Sequence, residues 1–199
     1  MKQAVKIAVL GCGTVGAQVV RLLQERAADY QARCGARLEI IGICVNNLAA
    51  PRPDFISRDL LTDQAESLID QADLVIELIG GIEPARTYIT RALEAGKSVV
   101  TGNKALLAQH GPELFDLSRQ READLYYEAA VAGAIPVVYG LRESLAGDRV
   151  QVVQGIVNGT TNYMLDQMAK KGWSFEQALS TAQELGYAEA DPTADIDGL

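Results

Sequence analysis

The sequence has little of what metal clusters, disulfide frameworks and membrane spans require. It contains a single histidine, His110, and its three cysteines, Cys12, Cys34 and Cys44, lack CxxC spacing. This supply of ligands argues against a zinc cluster, and three reduced thiols in a cytoplasmic protein are the simplest interpretation of the cysteines. No apolar run approaches the ~20 residues that a transmembrane helix needs, so no membrane span is predicted.

Positive charge is also scarce. The chain has 18 Lys and Arg against 26 Asp and Glu, which gives a net charge of −8. Nucleic acids and anionic membranes bind basic surfaces, so neither is expected as a partner. Hydrophobic residues make up 48% of the 199 positions, which is enough for the packed core of a globular protein.

A glycine-rich turn follows the first apolar run. Residues 5–10 predict a buried strand, and the apolar positions after residue 14 recur at helical spacing. In a strand–turn–helix context, the first Gly of GxGxxG allows a tight turn, the second lets the backbone approach a pyrophosphate, and the third lets helix and strand pack closely. The sequence therefore predicts a dinucleotide site, rather than a turn that serves packing alone, at Gly11, Gly13, Thr14, Val15 and Gly16.

The end of the second predicted strand, at 38–45, bears on the choice between NAD and NADP. An NAD-specific fold usually places an Asp or Glu there to bond the ribose 2′-hydroxyl, whereas a nearby Arg accommodates the 2′-phosphate of NADP. This chain has Asn46 and Asn47, and Arg52 follows. The pattern favours NADP and leaves NAD open. The alternative is that the Asn pair only forms a turn.

Short apolar strands alternate with helices along the first three-quarters of the chain, which predicts an α/β fold with a doubly wound parallel sheet. Further strands are predicted within 73–81, at 98–101 and at 124–128, with helices at 84–95, from 102 onward and at 136–146. Ligands bind at the carboxyl ends of parallel strands. We therefore expect four residues at these ends to lie beside the cofactor: Ile79, Gly80, Gly81 and Thr101.

Lys104 is the first residue that can carry chemistry. It lies just past the carboxyl end of a predicted strand, where a Lys can steady a developing alkoxide or, when partly desolvated, exchange a proton. The alternative is a solvated Lys at a helix start. His110 is expected to be a surface residue in a helix–helix connection before Gly111 and Pro112, and not a catalytic base.

A turn rich in Gly, Asn and Thr, at 155–164, lies between a predicted strand at 150–157 and an amphipathic helix at 163–171. The free N–H groups at such a helix start can hold a carboxylate. The alternative is a helix cap in which Asn158 or Thr160 satisfies these donors. A further helix is expected at 175–185. We place the boundary between a first domain, 1–147, and a second, 148–199, near Gly147.

Residues 155–164 closely resemble the GIxNGTxNYxL motif of homoserine dehydrogenases. Three other segments match motifs of the same family: 101–107 resembles V-T-A-N-K-A-L-L, with Gly102 in place of the usual Ala, 128–136 resembles E-A-x-V-x-G-G-I-P, and 185–198 resembles L-G-Y-A-E-x-D-P-x-x-D-x-x-G. Together with the GxGxxG turn, the likeness spans essentially the whole chain. It implies a Rossmann-type NAD(P)-binding domain followed by the beginning of an α+β substrate and dimerisation domain.

The resemblance also implies roles for individual residues. Lys104 is expected to contact the substrate and the cofactor, and the substrate residues that it implies are Asn158, Gly159, Thr160, Tyr187, Glu189 and Asp195. It further implies a sodium or potassium ion held by the Glu128 side chain and by the carbonyls of Val131, Gly133 and Ile135. Without the resemblance, 128–136 is better interpreted as a structural loop, and the acidic residues after 186 form either a loop that grips an ammonium group or a disordered tail.

The function implied by the resemblance is reversible hydride transfer between NAD(P) and homoserine or aspartate 4-semialdehyde, a reaction of amino-acid biosynthesis. The resemblance also implies that the enzyme is a homodimer. The family pattern continues past Leu199 with an Asp and a second Lys. A second hypothesis is therefore a truncated fragment that binds NAD(P) without turnover. A semialdehyde dehydrogenase with a cysteine nucleophile is disfavoured, because Cys12 lies in the phosphate turn and Cys34 and Cys44 lie before or within the second strand.

Overall fold

The computed structural model describes residues 3–188 and 192–197. The chain divides into two compact units, Met1–Ala146 and Gly147–Leu199, called the first and the second unit below. Their assignment as a cofactor-binding and a substrate-binding domain stays a prediction.

The first unit is built on a six-stranded sheet in which every neighbouring pair of strands is parallel. The strand order is β3-β2-β1-β4-β5-β6. The first three strands extend the sheet from β1 to one side and the last three extend it to the other side, so the order reverses between β1 and β4. In open α/β sheets such a switch point leaves a ligand-binding crevice at the carboxyl ends of the strands. The strands are β1 (Ala4–Leu10), β2 (Arg37–Cys44), β3 (Leu61–Thr62), β4 (Leu74–Glu77), β5 (Ser98–Thr101) and β6 (Leu125–Tyr126).

Helices cover both faces of this sheet. Because side chains alternate along a strand, β1 contributes Ala8 and Leu10 to one apolar layer and Ile7 and Val9 to the other. This arrangement confirms the predicted doubly wound α/β fold. The helices of the first unit are α1 (Thr14–Glu25), α2 (Ala27–Cys34), α3 (Ala65–Gln71), α4 (Ala85–Glu94), α5 (Lys104–Gln120) and α6 (Val137–Tyr139), which a π-helical turn (Gly140–Ser144) extends.

The region around His110 differs from the prediction. A helix–helix connection before Pro112 was expected, but α5 runs unbroken through this proline. Pro112 removes one helical N–H donor, while Leu106 and Leu114, on either side of it, are fully buried and hold both halves of the helix in the core. The His110 side chain is 26% exposed and places Nδ1 3.5 Å from a carboxylate oxygen of Glu113.

The second unit contains helices and no strand among its described residues. The predicted strand at 150–157 is not formed. A strand needs a neighbouring backbone to satisfy its N–H and C=O groups, and none pairs with this segment in the described ranges; its Val157 is 91% exposed. The helices are α7 (Gly159–Lys171), α8 (Phe175–Glu184) and α9 (Thr193–Asp197).

The expected helices at 163–171 and 175–185 are therefore confirmed as α7 and α8. They pack around a small cluster that includes Met164, Ala178 and Ala182. Pro192 directly precedes α9, a position at the start of a helix that suits proline. In neither unit do the described residues include a helix long and apolar enough to cross a bilayer.

Candidate functional site

A cavity of about 480 Å³ lies at the carboxyl ends of β1, β2 and β4. Its volume is within the range of small-molecule sites, and it lies at the switch point of the strand order. Five of its lining residues were predicted from the sequence to bind a dinucleotide. The lining consists of Gly11, Cys12, Gly13, Cys44, Val45, Asn46, Arg52, Asp63, Leu78, Ile79, Pro84 and Tyr88.

The three glycines of the turn differ in their surroundings. A Cβ atom at Gly11, whose φ is +95°, would lie 2.5 Å from the carbonyl oxygen of Leu78, and one at Gly16 would lie 2.2 Å from the carbonyl oxygen of Gly11. A Cβ atom at Gly13 would meet nothing within 4 Å. Gly11 and Gly16 therefore permit close packing, whereas Gly13 leaves open space for a ligand at the start of α1.

The start of α1 carries the other two residues predicted in this turn. Thr14 and Val15 are exposed in its first turn, Val15 at 62%. The first N–H groups of a helix lack partners within the helix, and the helix dipole places partial positive charge there. An anionic group such as a pyrophosphate is favoured at this position.

Arg52 extends from the loop after β2 to the glycine-rich turn. Its Nη1 donates a short hydrogen bond to the carbonyl oxygen of Cys12, and its Nη2 lies 3.4 Å from the carbonyl oxygen of Asn47. Its Nε is buried and has no hydrogen-bond partner among the described residues. A buried donor without a partner is costly, and here it belongs to a cation that lines the cavity.

The two asparagines after β2 have different roles. The side chain of Asn47 accepts hydrogen bonds from the N–H groups of Ala49, at 3.0 Å, and Ala50, at 3.2 Å, and so forms a turn. Asn46 is exposed and lines the cavity. The turn interpretation therefore holds for Asn47, and Asn46 stays a candidate for the ribose contact.

Two ionisable groups in the cavity wall are held in their neutral forms. Burial raises the pKa of the Cys44 thiol, and the charge of Asp63 raises it further. Burial raises the pKa of the Tyr88 hydroxyl, and the neighbouring Cys44 sulfur and Glu66 carboxylate raise it further. Neither group brings a negative charge to this wall near neutral pH, so neither repels an anionic ligand.

A buried carboxylate lies beneath the loop that follows β4. Glu77, the last residue of this strand, is 0% exposed. Its Oε1 accepts hydrogen bonds from the N–H of Ile79, at 2.8 Å, and of Gly80, at 3.4 Å, and its Oε2 accepts one from the Thr101 hydroxyl, at 2.6 Å. Two backbone N–H groups and one hydroxyl thus satisfy the acceptor oxygens of this carboxylate.

Asn103 closes this network between the ends of β4 and β5. Its N–H donates to the Thr101 hydroxyl, at 3.0 Å, and its Nδ2 donates to the carbonyl oxygen of Gly81, at 2.7 Å. Its Oδ1 accepts from the N–H of Leu106, at 3.1 Å, and thereby caps α5. Lys104 therefore stands at the first position of a capped helix, with an exposed side chain.

Predicted substrate residues of the second unit also come together. Asn158 Oδ1 accepts from the N–H of Thr161, at 2.9 Å, and caps α7, while its Nδ2 donates to Asp195 Oδ1, at 3.1 Å. The Thr160 hydroxyl donates to the carbonyl oxygen of Tyr187, at 2.7 Å. These bonds hold Tyr187 and Asp195 at the start of α7, beside Gly159. The predicted substrate residue Glu189 lies outside the described residues.

Comparison with known proteins matches this arrangement to one family along nearly the whole chain. The family model described as "Homoserine dehydrogenase, NAD binding domain" matches residues 11–128, and the model described as "Homoserine dehydrogenase" matches residues 136–199. The chain belongs to the homoserine dehydrogenase family. This is a family of oxidoreductases, as the sequence motifs predicted.

Individual homoserine dehydrogenases show the extent of the likeness. The chain is 53% identical over 197 residues to the enzyme of Corynebacterium glutamicum, with 98% of this chain and 44% of that protein covered. It is 41% identical over 199 residues to the enzyme of Bacillus subtilis, with 99% of this chain and 46% of that protein covered. The chain thus spans less than half the length of these curated relatives.

Solved structures agree with the sequence comparison. A crystal structure of a homoserine dehydrogenase from Thiobacillus denitrificans superposes with a TM-score of 0.86 at 40% identity, over 97% of this chain and 45% of that one. A hyperthermophilic archaeal homoserine dehydrogenase in complex with NADPH superposes with a TM-score of 0.77 at 25% identity, over 98% of this chain and 65% of that one.

The segment that the family resemblance assigns to a cation has an internal role in this chain. Glu128 Oε1 accepts from the N–H of Val138, at 3.1 Å, and its Oε2 accepts from the N–H of Tyr139, at 2.7 Å. The carbonyl oxygen of Gly133 accepts a short bond from Ile135, whose own carbonyl oxygen accepts from Val137, at 2.8 Å. No group of three His, Cys, Asp or Glu side chains suited to a metal occurs in 3–188 and 192–197.

Sequence reasoning missed several residues of this site, among them Glu77 and Tyr88. Glu77 was placed inside an apolar strand without a role, and Tyr88 was not associated with the cavity. The signal for Glu77 was available, because a lone carboxylate at the end of a buried parallel strand needs partners. Tyr88 carried no comparable signal, since its position depends on how α4 packs against the sheet.

Proposed function

We propose that the first unit binds NADP or NAD in the cavity above the glycine-rich turn. The observation that carries this proposal is the open space at Gly13, bordered by the start of α1 and by the cation of Arg52. A pyrophosphate fits the unpaired N–H groups at the helix start. Asn46 would bond the adenosine ribose, and the buried, unpartnered Nε of Arg52 is consistent with an anionic group such as a 2′-phosphate beside this side chain. The related archaeal enzyme in complex with NADPH supports the same cofactor class.

Within the same proposal, the reaction is reversible hydride transfer between NAD(P) and the C4 atom of homoserine or aspartate 4-semialdehyde. The bound nicotinamide supplies the hydride chemistry. Lys104 holds the reacting oxygen and stabilises its negative charge through the exposed ammonium group. The start of α7, at Asn158, Gly159 and Thr160, binds the substrate carboxylate. Asp195 binds the substrate ammonium group, together with Tyr187 and Glu189 from the same acidic segment.

A second candidate function is cofactor binding without turnover. Both candidates predict NADPH binding, and they differ only in catalysis.

One experiment separates the two candidates. The 199-residue polypeptide is first titrated with NADPH, with binding followed by nicotinamide fluorescence, and then assayed for homoserine-dependent reduction of NADP and of NAD. Turnover establishes the dehydrogenase activity. Binding without turnover, from a folded sample, assigns the cofactor-binding function alone. A folded sample that binds neither cofactor contradicts the whole proposal.

Replacement of Arg52 tests the cofactor preference. Arg52→Ala removes the guanidinium beside the cavity, and a charge-assisted hydrogen bond contributes about 1.5–3 kcal/mol. We expect roughly a tenfold or greater loss of NADPH affinity and a much smaller loss of NADH affinity. The measurement is the ratio of the two Kd values, because any general disturbance of the turn at Cys12 weakens both cofactors together.

The matched control for this test is Arg58→Ala. Arg58 also donates to a carbonyl of the same loop, that of Leu48, at 2.8 Å, and it does not line the cavity. We expect the ratio of its Kd values for NADPH and NADH to equal that of the unmodified protein. An equal loss of both cofactors in Arg52→Ala would show that the guanidinium does not recognise the 2′-phosphate.

We further propose that the segment after β6 binds sodium or potassium. Its donors are all oxygens, which suits a hard cation: the Glu128 carboxylate and the carbonyls of Val131, Gly133 and Ile135. Each carbonyl oxygen has two lone pairs, so the hydrogen bonds accepted by Gly133 and Ile135 leave acceptor capacity. The ion would stabilise this loop, and the backbone N–H donors at the start of α6 would contribute to the same effect.

Exchange of the cation tests this proposal. Replacing sodium and potassium by choline at constant ionic strength is expected to lower the thermal midpoint of the protein by a few degrees, since loss of a bound ligand destabilises the folded state. In Glu128→Gln the same exchange is expected to have little effect, because one charged ligand is gone. An identical response of the two proteins would contradict a cation at Glu128.

A further inference from the structure

The Glu77 carboxylate is a buried charge that the proposed hydride transfer does not use. It accepts hydrogen bonds from two backbone N–H groups and one hydroxyl. In the described ranges Glu77 forms no ion pair with a Lys, Arg or His side chain. Neutral donors stabilise the ion locally but do not cancel its charge, so its field extends into the surrounding low-dielectric region.

This charge lies beside the site proposed for the cofactor. Glu77 is the residue directly before Leu78 and Ile79, both of which line the cavity, and its Oε1 bonds to the N–H of Ile79. Through Thr101 it also reaches the end of β5, three residues before Lys104. The carboxylate thus lies under the carboxyl ends of β4 and β5, the edge from which Lys104 projects and where the reacting end of a dinucleotide is expected.

We infer that Glu77 sets the redox preference of this site by attracting the cationic, oxidised nicotinamide and leaving the neutral, reduced nicotinamide unaffected. The inference rests on the proposed cofactor binding and adds a residue that determines which form of the cofactor is held. Apart from the nicotinamide ring, the two forms share their phosphates and riboses. Their difference in affinity therefore measures the electrostatic environment of the ring and little else.

The charge of Lys104 at this edge acts more weakly than that of Glu77. Lys104 is cationic and opposes the binding of a cationic ring, but its side chain is exposed, and exposed charges are screened by water and salt. Glu77 is 0% exposed, so its attraction is screened much less. At an effective dielectric constant of about 20, a unit charge some 10 Å away changes an affinity by roughly tenfold.

The test compares Glu77→Gln with two variants that disturb the same hydrogen bonds but retain the charge. Glu77→Gln keeps an oxygen for the N–H groups of Ile79 and Gly80 and removes the negative charge. Thr101→Val removes the hydroxyl that bonds Oε2, and Glu77→Asp shortens the side chain. The Kd of the reduced cofactor is measured by fluorescence titration, and that of the oxidised cofactor by competition against it.

Glu77→Gln is expected to lose roughly tenfold in affinity for oxidised cofactor relative to reduced cofactor. Thr101→Val and Glu77→Asp are expected to weaken both forms by similar factors and to leave the ratio within about twofold. A shift of roughly tenfold in the ratio of Thr101→Val or Glu77→Asp would assign the effect to geometry and overturn the inference, whether or not Glu77→Gln folds. An unchanged ratio in folded Glu77→Gln overturns it as well.

The same measurements separate this inference from the proposed function. If the unmodified, folded protein binds neither form of the cofactor, the proposed function fails first and the inference falls with it. If it binds both and the ratio does not respond to Glu77→Gln, only the inference fails. Thermal unfolding of each variant confirms that the compared samples are folded.

Discussion

Gly16→Ala is expected to lower the free energy of unfolding of the first unit by about 2–3 kcal/mol. The added Cβ would lie 2.2 Å from the carbonyl oxygen of Gly11, a backbone atom that cannot rotate away as a side chain can. Gly11 is itself fixed, since its N–H donates to the carbonyl oxygen of Cys44, at 2.9 Å. The clash therefore separates α1 from the end of β1 or disrupts the turn between them.

Thermal or urea unfolding measures this effect, and Gly140→Ala is the matched control. Gly140 also lies in the first unit, has a helical conformation with φ −55° and ψ −46°, and has room for a Cβ atom. Alanine at a helical position is favoured over glycine, so this variant is expected to be at least as stable as the unmodified protein. Equal stability of Gly16→Ala and Gly140→Ala would show that helix and strand do not approach as closely as the structure indicates.

Gly13→Val is expected to weaken NADPH binding by about a hundredfold, or 2.7 kcal/mol, while the protein stays folded. The extended backbone of Gly13, with φ −78° and ψ −159°, accommodates a β-branched residue, and a Cβ atom there meets nothing within 4 Å. The added side chain instead fills the space through which the backbone approaches a pyrophosphate.

A graded series makes this second prediction sharper. Gly13→Ala, with its smaller side chain, is expected to lose roughly tenfold in NADPH affinity, and both variants should unfold within a few degrees of the unmodified protein. Fluorescence titration and thermal unfolding on the same samples provide the two readouts. Retention of full affinity in Gly13→Val would place the pyrophosphate elsewhere.

The parts of the fold that the sequence predicted well have strong local signals. One such signal is the strand–turn–helix motif that begins with the run ending at Leu10. The residues that contact each other in this motif are close in sequence. The residues after β2 were equally predictable, because Asn46 and Arg52 follow a clear apolar strand. These signals account for four lining residues of the cavity: Gly11, Gly13, Asn46 and Arg52.

The parts that were missed depend on partners distant in sequence. β3 has two residues, Leu61 and Thr62, which is too short for any periodic pattern. The run at 150–157 has the composition of a strand but finds no neighbouring strand among the described residues, and composition alone cannot supply one. Glu77 and Thr101 are 24 positions apart, so their bond is visible only after β4 and β5 are aligned.

The side-chain bonds at the start of α7 have a consequence for local unfolding. A five-residue helix such as α9 does not persist alone in water, so its order depends on what holds it. Asn158 supplies such a tie to Asp195, while the same side chain caps α7. We therefore expect that opening of one helix end releases the other, so that their amide protons exchange with solvent as a single cooperative group. Two helix ends that are distant in sequence, those of α7 and α9, thereby form one element of local stability.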